Sequence, residues 1–149
     1  MDSELRELYQ QVILDHNKSP RNYRVIEHPS HFCDGHNPLC GDTINIYLTI
    51  AEGIVKDISF QGSGCAISKA SASLMSSIVK GKTIEEVKSI FEKFKDMVTG
   101  KLDVDLDSMG KLAVLAGVKE FPSRVKCASL AWHTLINAID KKQEAVTTE

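Results

Sequence analysis

The stretch TINIYLTIAEGIVKDISF, residues 43–60, decides the fold. Its first half alternates, with Ile44, Ile46, Leu48 and Ile50 on one face and Thr43, Asn45, Tyr47 and Thr49 on the other. A period of two describes a strand with one buried face, because successive side chains of a pleated chain point to opposite sides. After a turn at Ala51, Glu52 and Gly53, the second half alternates again through Ile54, Ile58 and Phe60. Together the halves predict an antiparallel hairpin.

Outside the hairpin the period becomes helical. Upstream, Leu5, Leu8, Tyr9, Val12 and Ile13 give residues 4–16 one apolar face, predicting a helix that stops before Pro20. The following NKSPRNYRVIEHPSHFCDGHNP, residues 17–38, is polar and broken by three prolines, so it reads as loop with room for a short edge strand. Downstream, GSGCAISKASASLMSSIVKG, residues 62–81, reads as a helix of small residues opened by glycines and closed at Gly81, with Cys65 at its N-terminus. Thr83 and Glu86 have capping-box spacing, and Ile84, Val87, Phe91, Phe94 and Val98 give the next helix its apolar face before Gly100. This helix reads as structural.

Residues 101–108, KLDVDLDS, read as an acidic loop, and residues 109–116 as a short helix ending at Gly117. A last helix is expected from near Ser123 to about Asp140, with Cys127 in its first turn, followed by a frayed polar tail, EAVTTE. The order is helix, hairpin, then helices, with no alternating βαβ units. That order predicts the α+β class, a small antiparallel β-sheet with helices packed on one face, in a single domain spanning residues 1–149.

Charged residues make up 26% and hydrophobic ones 42% of the 149, with a net charge of −2. These values are ordinary for a globular protein and exclude the basic footprint of a nucleic-acid binder. No apolar run approaches the roughly 18 residues needed to cross a bilayer, and SELRELYQQVILDH is too charged for a signal peptide. The expectation is a cytoplasmic protein with no membrane partner.

There are four cysteines: Cys33, Cys40, Cys65 and Cys127. In a reducing compartment such thiols favour metal or sulfur chemistry over disulfides, although their spacing matches no zinc finger or ribbon. Cys40 sits in PLCGD, residues 38–42, a glycine-bordered turn that enters the first strand. Cys65 and Cys127 are expected at helix starts, where free N–H groups and positive potential favour a thiolate. Asp42 is awkward beside a thiolate, because two like charges repel unless a cation lies between them. Three thiolates and one carboxylate would complete tetrahedral zinc, with Zn–S near ~2.3 Å and Zn–O near ~2.0–2.2 Å. The same four could hold an iron–sulfur cluster. An oxygen donor among soft ligands suggests an exchangeable site. Cys33, by contrast, reads as a small core hydrophobe.

Taken together, LYQQVILDHNKSPRN, NPLCGD, GSGCAISKASASLM and FPSRVKCASLAW resemble the U-type sulfur-relay and scaffold proteins of iron–sulfur cluster biogenesis, over about residues 8–132. The resemblance is greater to the SufU branch than to the IscU branch. IscU-like scaffolds carry a histidine just before the last cysteine, where this chain has Lys126 within Arg124-Val125-Lys126-Cys127. The segment 82–107 also looks like the insertion of the SufU branch.

The resemblance implies a SufE/NifU (IscU-like) fold with zinc held by Cys40, Asp42, Cys65 and Cys127. It implies a zinc-dependent sulfurtransferase in which Cys40 accepts persulfide sulfur from a SufS-type, pyridoxal-phosphate-dependent cysteine desulfurase. A histidine of the desulfurase would replace Cys40 on the metal, and the sulfur would pass to SufBCD-type machinery. The alternative is a scaffold assembling a [2Fe–2S] cluster on the same four residues.

Arg124 would contact the partner or orient a ligand; a solvated arginine at a helix start is the even alternative. Departures from the pattern are Cys33, His36 in place of a more usual asparagine, and Lys111 in place of an acid. His28, His31, Cys33 and His36 form a local cluster that could bind stray metal, but an exposed polar loop is the favoured reading. His16 is expected to be a helix-end residue stabilised by the macrodipole.

Overall fold

A computed structural model of the chain describes residues 3–101, 106–141 and 146–147. The hairpin forms as its alternation requires: β2 (Asp42–Ala51) pairs antiparallel with β3 (Ile54–Ser63), in a register that sets Ile46 opposite Phe60 and Leu48 opposite Ile58. Ile44, Ile46 and Leu48 are buried, and the register shifts once, between Thr49 and Ile50.

The proline-broken segment, read as loop with room for a short edge strand, holds a longer strand than that reading allowed. Residues His31–Asn37 form a full strand, β1, paired with β2 from His31 opposite Leu48 to Asn37 opposite Asp42. Its inward positions are Cys33, Gly35 and Asn37, all small or polar, so hydrophobic alternation does not reveal it. The strand is made by its neighbours: β2 supplies the ladder, and Leu130 and Thr134 of a helix pack over Gly35. Beyond it, β4 (Val146–Thr147) pairs parallel with β1, giving the sheet order β3-β2-β1-β4. The rest of the tail expected to fray, residues 144–145 and 148–149, lies outside the described residues.

The helices are α1 (Ser3–Lys18), α2 (Ala66–Val79), α3 (Ile84–Thr99), the short α4 (Leu106–Met109), a 3-10 helix over Gly110–Glu120, and α5 (Pro122–Ile139). In α3 the capping box between Thr83 and Glu86 forms in both directions, and Gly100 closes the helix with a left-handed φ of 68°. Phe94 of α3 stacks on the fully buried Trp132 of α5 at 4.8 Å. Burying a large side chain of this kind is worth about 1.5–3 kcal/mol relative to exposure, so a core of this extent needs no covalent staple. No described helix is long and apolar enough to cross a membrane.

Four local expectations change. The acidic segment 101–108 falls partly outside the described residues, and its end is helical in α4. Gly117 does not end the following helix, which continues to Glu120 with Leu112, Leu115 and Val118 buried. Helix α5 begins at Pro122, so Cys127 lies in its second turn rather than its first.

His16 is the fourth. It is only 6% exposed, and its Nδ1 is 2.7 Å from the Ser73 hydroxyl of α2, which also accepts from the Arg21 backbone N–H at 2.8 Å. Burial first and then the charge of Arg21 lower the pKa of His16, against an opposing effect of Asp15 and with a smaller lowering by Lys111. The neutral imidazole is therefore favoured, and a hydrogen bond rather than the macrodipole holds it.

Candidate metal centre

The β1–β2 connection, residues 38–41, brings the site residues together. The strands close on the pair Asn37 and Asp42, and the chain turns back through Gly41 at a φ of 71°, a left-handed conformation costly for a residue with a Cβ. Cys40 stands half-exposed on this turn, beside the exposed Leu39.

Asp42, the first residue of β2, is only 1% exposed. Each of its carboxylate oxygens is engaged: Oδ1 accepts from the Cys65 backbone N–H at 2.8 Å, and Oδ2 from Asn37 Nδ2 at 3.1 Å. Gly64 permits the first of these bonds. A Cβ there would run into Asp42 Oδ1 and lie 3.1 Å from the Asp42 Cα. Cys65 is the N-cap of α2 as expected, its sulfur accepting from the Ser68 N–H at 3.4 Å.

Cys127 is fully buried and points back from α5 to the turn, with its Sγ 3.3 Å from Cys40 Sγ and 3.5 Å from Asn37 Nδ2. Sγ of Cys40, Sγ of Cys127 and a carboxylate oxygen of Asp42 all lie within 4.8 Å of one another. Cys65 stands outside this tight trio, although its thiol interacts with that of Cys127. The geometry therefore groups three of the four expected ligands.

Cys127 corrects one part of the electrostatic reading. Burial first, and then its hydrogen bonds with Cys40, Asp42 and Cys65, push its thiol well above the usual range, the reverse of helix N-terminal activation. Arg124, one turn earlier on α5, is exposed at the residue level, yet its guanidinium lies beside the sulfurs. A hydrogen bond to Cys127 and the charges of Cys65, Cys127 and Cys40 raise its pKa. Lys126 is half-buried next to Cys127.

The donor set fits zinc. Three sulfurs and a buried carboxylate would together carry more negative charge than one guanidinium offsets, and sulfur with one oxygen suits a tetrahedral ion of borderline softness.

The polar-loop reading of the histidine cluster holds for the exposed His28 but not for His31, Cys33 and His36, which lie in β1. Cys33 packs into the core, where burial raises its thiol pKa, while His36 lies on the other face of β1. None of His28, His31, Cys33 or His36 joins the ligand group found among the described residues. Asn37 is the residue that sequence reasoning missed. It is fully buried and touches both Asp42 and Cys127. Its signal was present in NPLCGD: a strand ending at 37 and another starting at 42 would face these two residues across the turn.

The chain is 43% identical to the zinc-dependent sulfurtransferase SufU of Bacillus subtilis (strain 168) over 142 residues, covering 95% of this chain and 96% of that protein. It is 38% identical to the iron–sulfur cluster assembly scaffold protein IscU of Streptococcus pyogenes serotype M1, covering 96% and 89% of the two chains. The crystal structure of a NifU-like N-terminal protein from Brucella abortus superposes with a TM-score of 0.83 over 93% of this chain and 96% of that one, at 22% identity, a likeness of fold. The model of the NifU-like N-terminal domain matches residues 8–142, from the first helix to beyond the last cysteine, and the chain belongs to that family.

Proposed function

We propose that the chain accepts persulfide sulfur on Cys40 and hands it on during iron–sulfur cluster assembly, with zinc as its resident ion. The observation that carries this reading is the asymmetry of the donors. Asp42 and Cys127 are buried and hydrogen-bonded on the inside, and Cys65, half-exposed, is tied to α2 as its N-cap, whereas Cys40 stands half-exposed on a turn that a second protein can approach. The name of the Bacillus relative supports the same chemistry. Held by Cys40, Asp42, Cys65 and Cys127, zinc would supply the positive charge that keeps thiolates deprotonated near neutral pH.

The transfer is a thiol–persulfide exchange. The Cys40 thiolate attacks the outer sulfur of the donor persulfide, a new S–S bond forms to Cys40 as the old one breaks, and the donor cysteine leaves as a thiolate. Sulfur moves with no net oxidation. A downstream thiolate then repeats the exchange on the Cys40 persulfide. Arg124 stands beside the sulfurs and would hold negative charge as it passes from the attacking to the leaving thiolate. The donor would be a SufS-type, pyridoxal-phosphate-dependent cysteine desulfurase, the acceptor SufBCD-type machinery, and the setting the cytoplasm.

A turnover assay with a cysteine desulfurase, cysteine and a thiol reductant tests the reading. Zinc-loaded chain should stimulate turnover, and Cys40→Ala should abolish stimulation while leaving the circular dichroism spectrum intact. Stimulation by Cys40→Ala equal to wild type overturns it. The scaffold reading draws on the name of the Streptococcus relative. Lys126, standing where IscU-like scaffolds carry a histidine, favours the carrier. Anaerobically purified protein that is brown, with stoichiometric iron and sulfide and little zinc, would favour the scaffold.

A further inference from the structure

Asn37 is placed differently from the other buried polar residues of the sheet. It ends β1 opposite Asp42, is fully buried, and uses one amide nitrogen on two groups of the site: Asp42 Oδ2 at 3.1 Å and Cys127 Sγ at 3.5 Å. Its Oδ1 has no hydrogen-bond partner among the described residues. A purely structural asparagine would be expected to satisfy both ends, since a buried carbonyl without a donor is costly. Here only the donor end is used, and it faces the carboxylate and the sulfur. The amide orientation follows from that neighbour, because a carboxylate accepts and cannot donate.

We infer that Asn37 is a positioning residue that makes the site asymmetric: it locks Asp42 and Cys127 as the fixed side and leaves Cys40 as the exchangeable thiol. Cys127 is held from two directions, by its helix and by Asn37, and its own thiol donates to Cys40 Sγ. The second oxygen of Asp42 is held by the Cys65 N–H, so the carboxylate has little freedom to swing. Cys40 receives no hydrogen bond from Asn37 in the structure and rides on an open turn. Groups that orient metal ligands from behind commonly change metal affinity about 10–100-fold when removed. The inference rests on the proposed zinc site, but its readout does not require sulfur transfer.

The test uses the full chain as wild type, Asn37→Ala and Asn37→Ser, loaded with zinc and treated with a thiol alkylator while mass spectrometry follows each cysteine. Wild type should label Cys40 well before Cys127. Asn37→Ala should narrow that ratio about 10-fold or more and lose about 10–100-fold in zinc affinity by chelator competition, with Asn37→Ser, which keeps one donor, in between. A cobalt-substituted Asn37→Ala should also show an altered ligand-field spectrum. An unchanged labelling ratio and cobalt spectrum in folded Asn37→Ala overturn the inference. So does failure of both variants to fold, which would assign Asn37 to the fold alone. If wild type takes up neither zinc nor cobalt, the zinc reading fails separately. The labelling order of the metal-free chains then decides the role of Asn37, with a narrowed Cys40-to-Cys127 ratio supporting it and an unchanged ratio overturning it.

Discussion

In helix α3 each local preference agrees with the tertiary fold: the box of Thr83 and Glu86 caps its start, Val87, Phe91, Phe94 and Val98 are buried, and Gly100 ends it. Around Cys40 the preferences conflict. A carboxylate is buried among sulfurs, a cysteine caps α2 where serine or aspartate would cap better, and an asparagine leaves its carbonyl oxygen unpaired among the described residues. Helix α5 likewise begins at Pro122 behind Phe121, whose side chain gives it no capping hydrogen bond. Consistency across levels marks a region selected for stability, and concentrated inconsistency marks one selected for chemistry. The contrast teaches where to look for function in this chain, and it can be broken from either side.

The largest effect should come from the consistent region. Phe94→Ala removes the ring stacked on Trp132 and should cost about 3–5 kcal/mol in urea unfolding, while the fraction that stays folded keeps its zinc stoichiometry. Loss of zinc from that folded fraction would mean that the two regions are not separable. The next effect belongs to the site. Gly64→Ala drives a Cβ into Asp42 Oδ1 and should lower zinc affinity by about 10–100-fold, read by chelator competition, in a chain still folded by circular dichroism. Unchanged affinity would show that the bond from the Cys65 N–H to Asp42 does not shape the site. The smallest effect returns to α3. Thr83→Ala removes an exposed cap and should cost about 1 kcal/mol with no change in zinc affinity, checked by thermal unfolding and the same competition.

The same contrast explains what was legible in the sequence. The hairpin of β2 and β3, the small-residue helix α2 and the capped helix α3 each declare themselves through local periodicity and end signals, and each forms where expected. Strand β1 does not, because its inward residues Cys33, Gly35 and Asn37 carry no hydrophobic alternation; its conformation depends on β2 and on α5 packing over it. With residues 17–38 read as loop holding only a short, unplaced edge strand, the pairing of Asn37 with Asp42 could not be seen, and so Asn37 was missed. Cys40, Asp42, Cys65 and Cys127 were legible as motifs, and the structure draws Cys40, Asp42 and Cys127 into one group with Cys65 beside it. The environment of Cys127 was not. A helix starting at Pro122 moves it into the second turn, where burial governs the thiol more than the helix terminus does. Burial of this kind is set by the packing of α5 on the sheet, a long-range property with no local signature.

The most direct test of the central claim is peptide mass mapping after zinc-loaded chain has met a pyridoxal-phosphate-dependent cysteine desulfurase and cysteine, without reductant. The account predicts a gain of one sulfur atom on the peptide carrying Cys40, with Cys65 and Cys127 unmodified. A persulfide carried on Cys65 or Cys127 instead, or none on the chain while the desulfurase itself holds one, would contradict it.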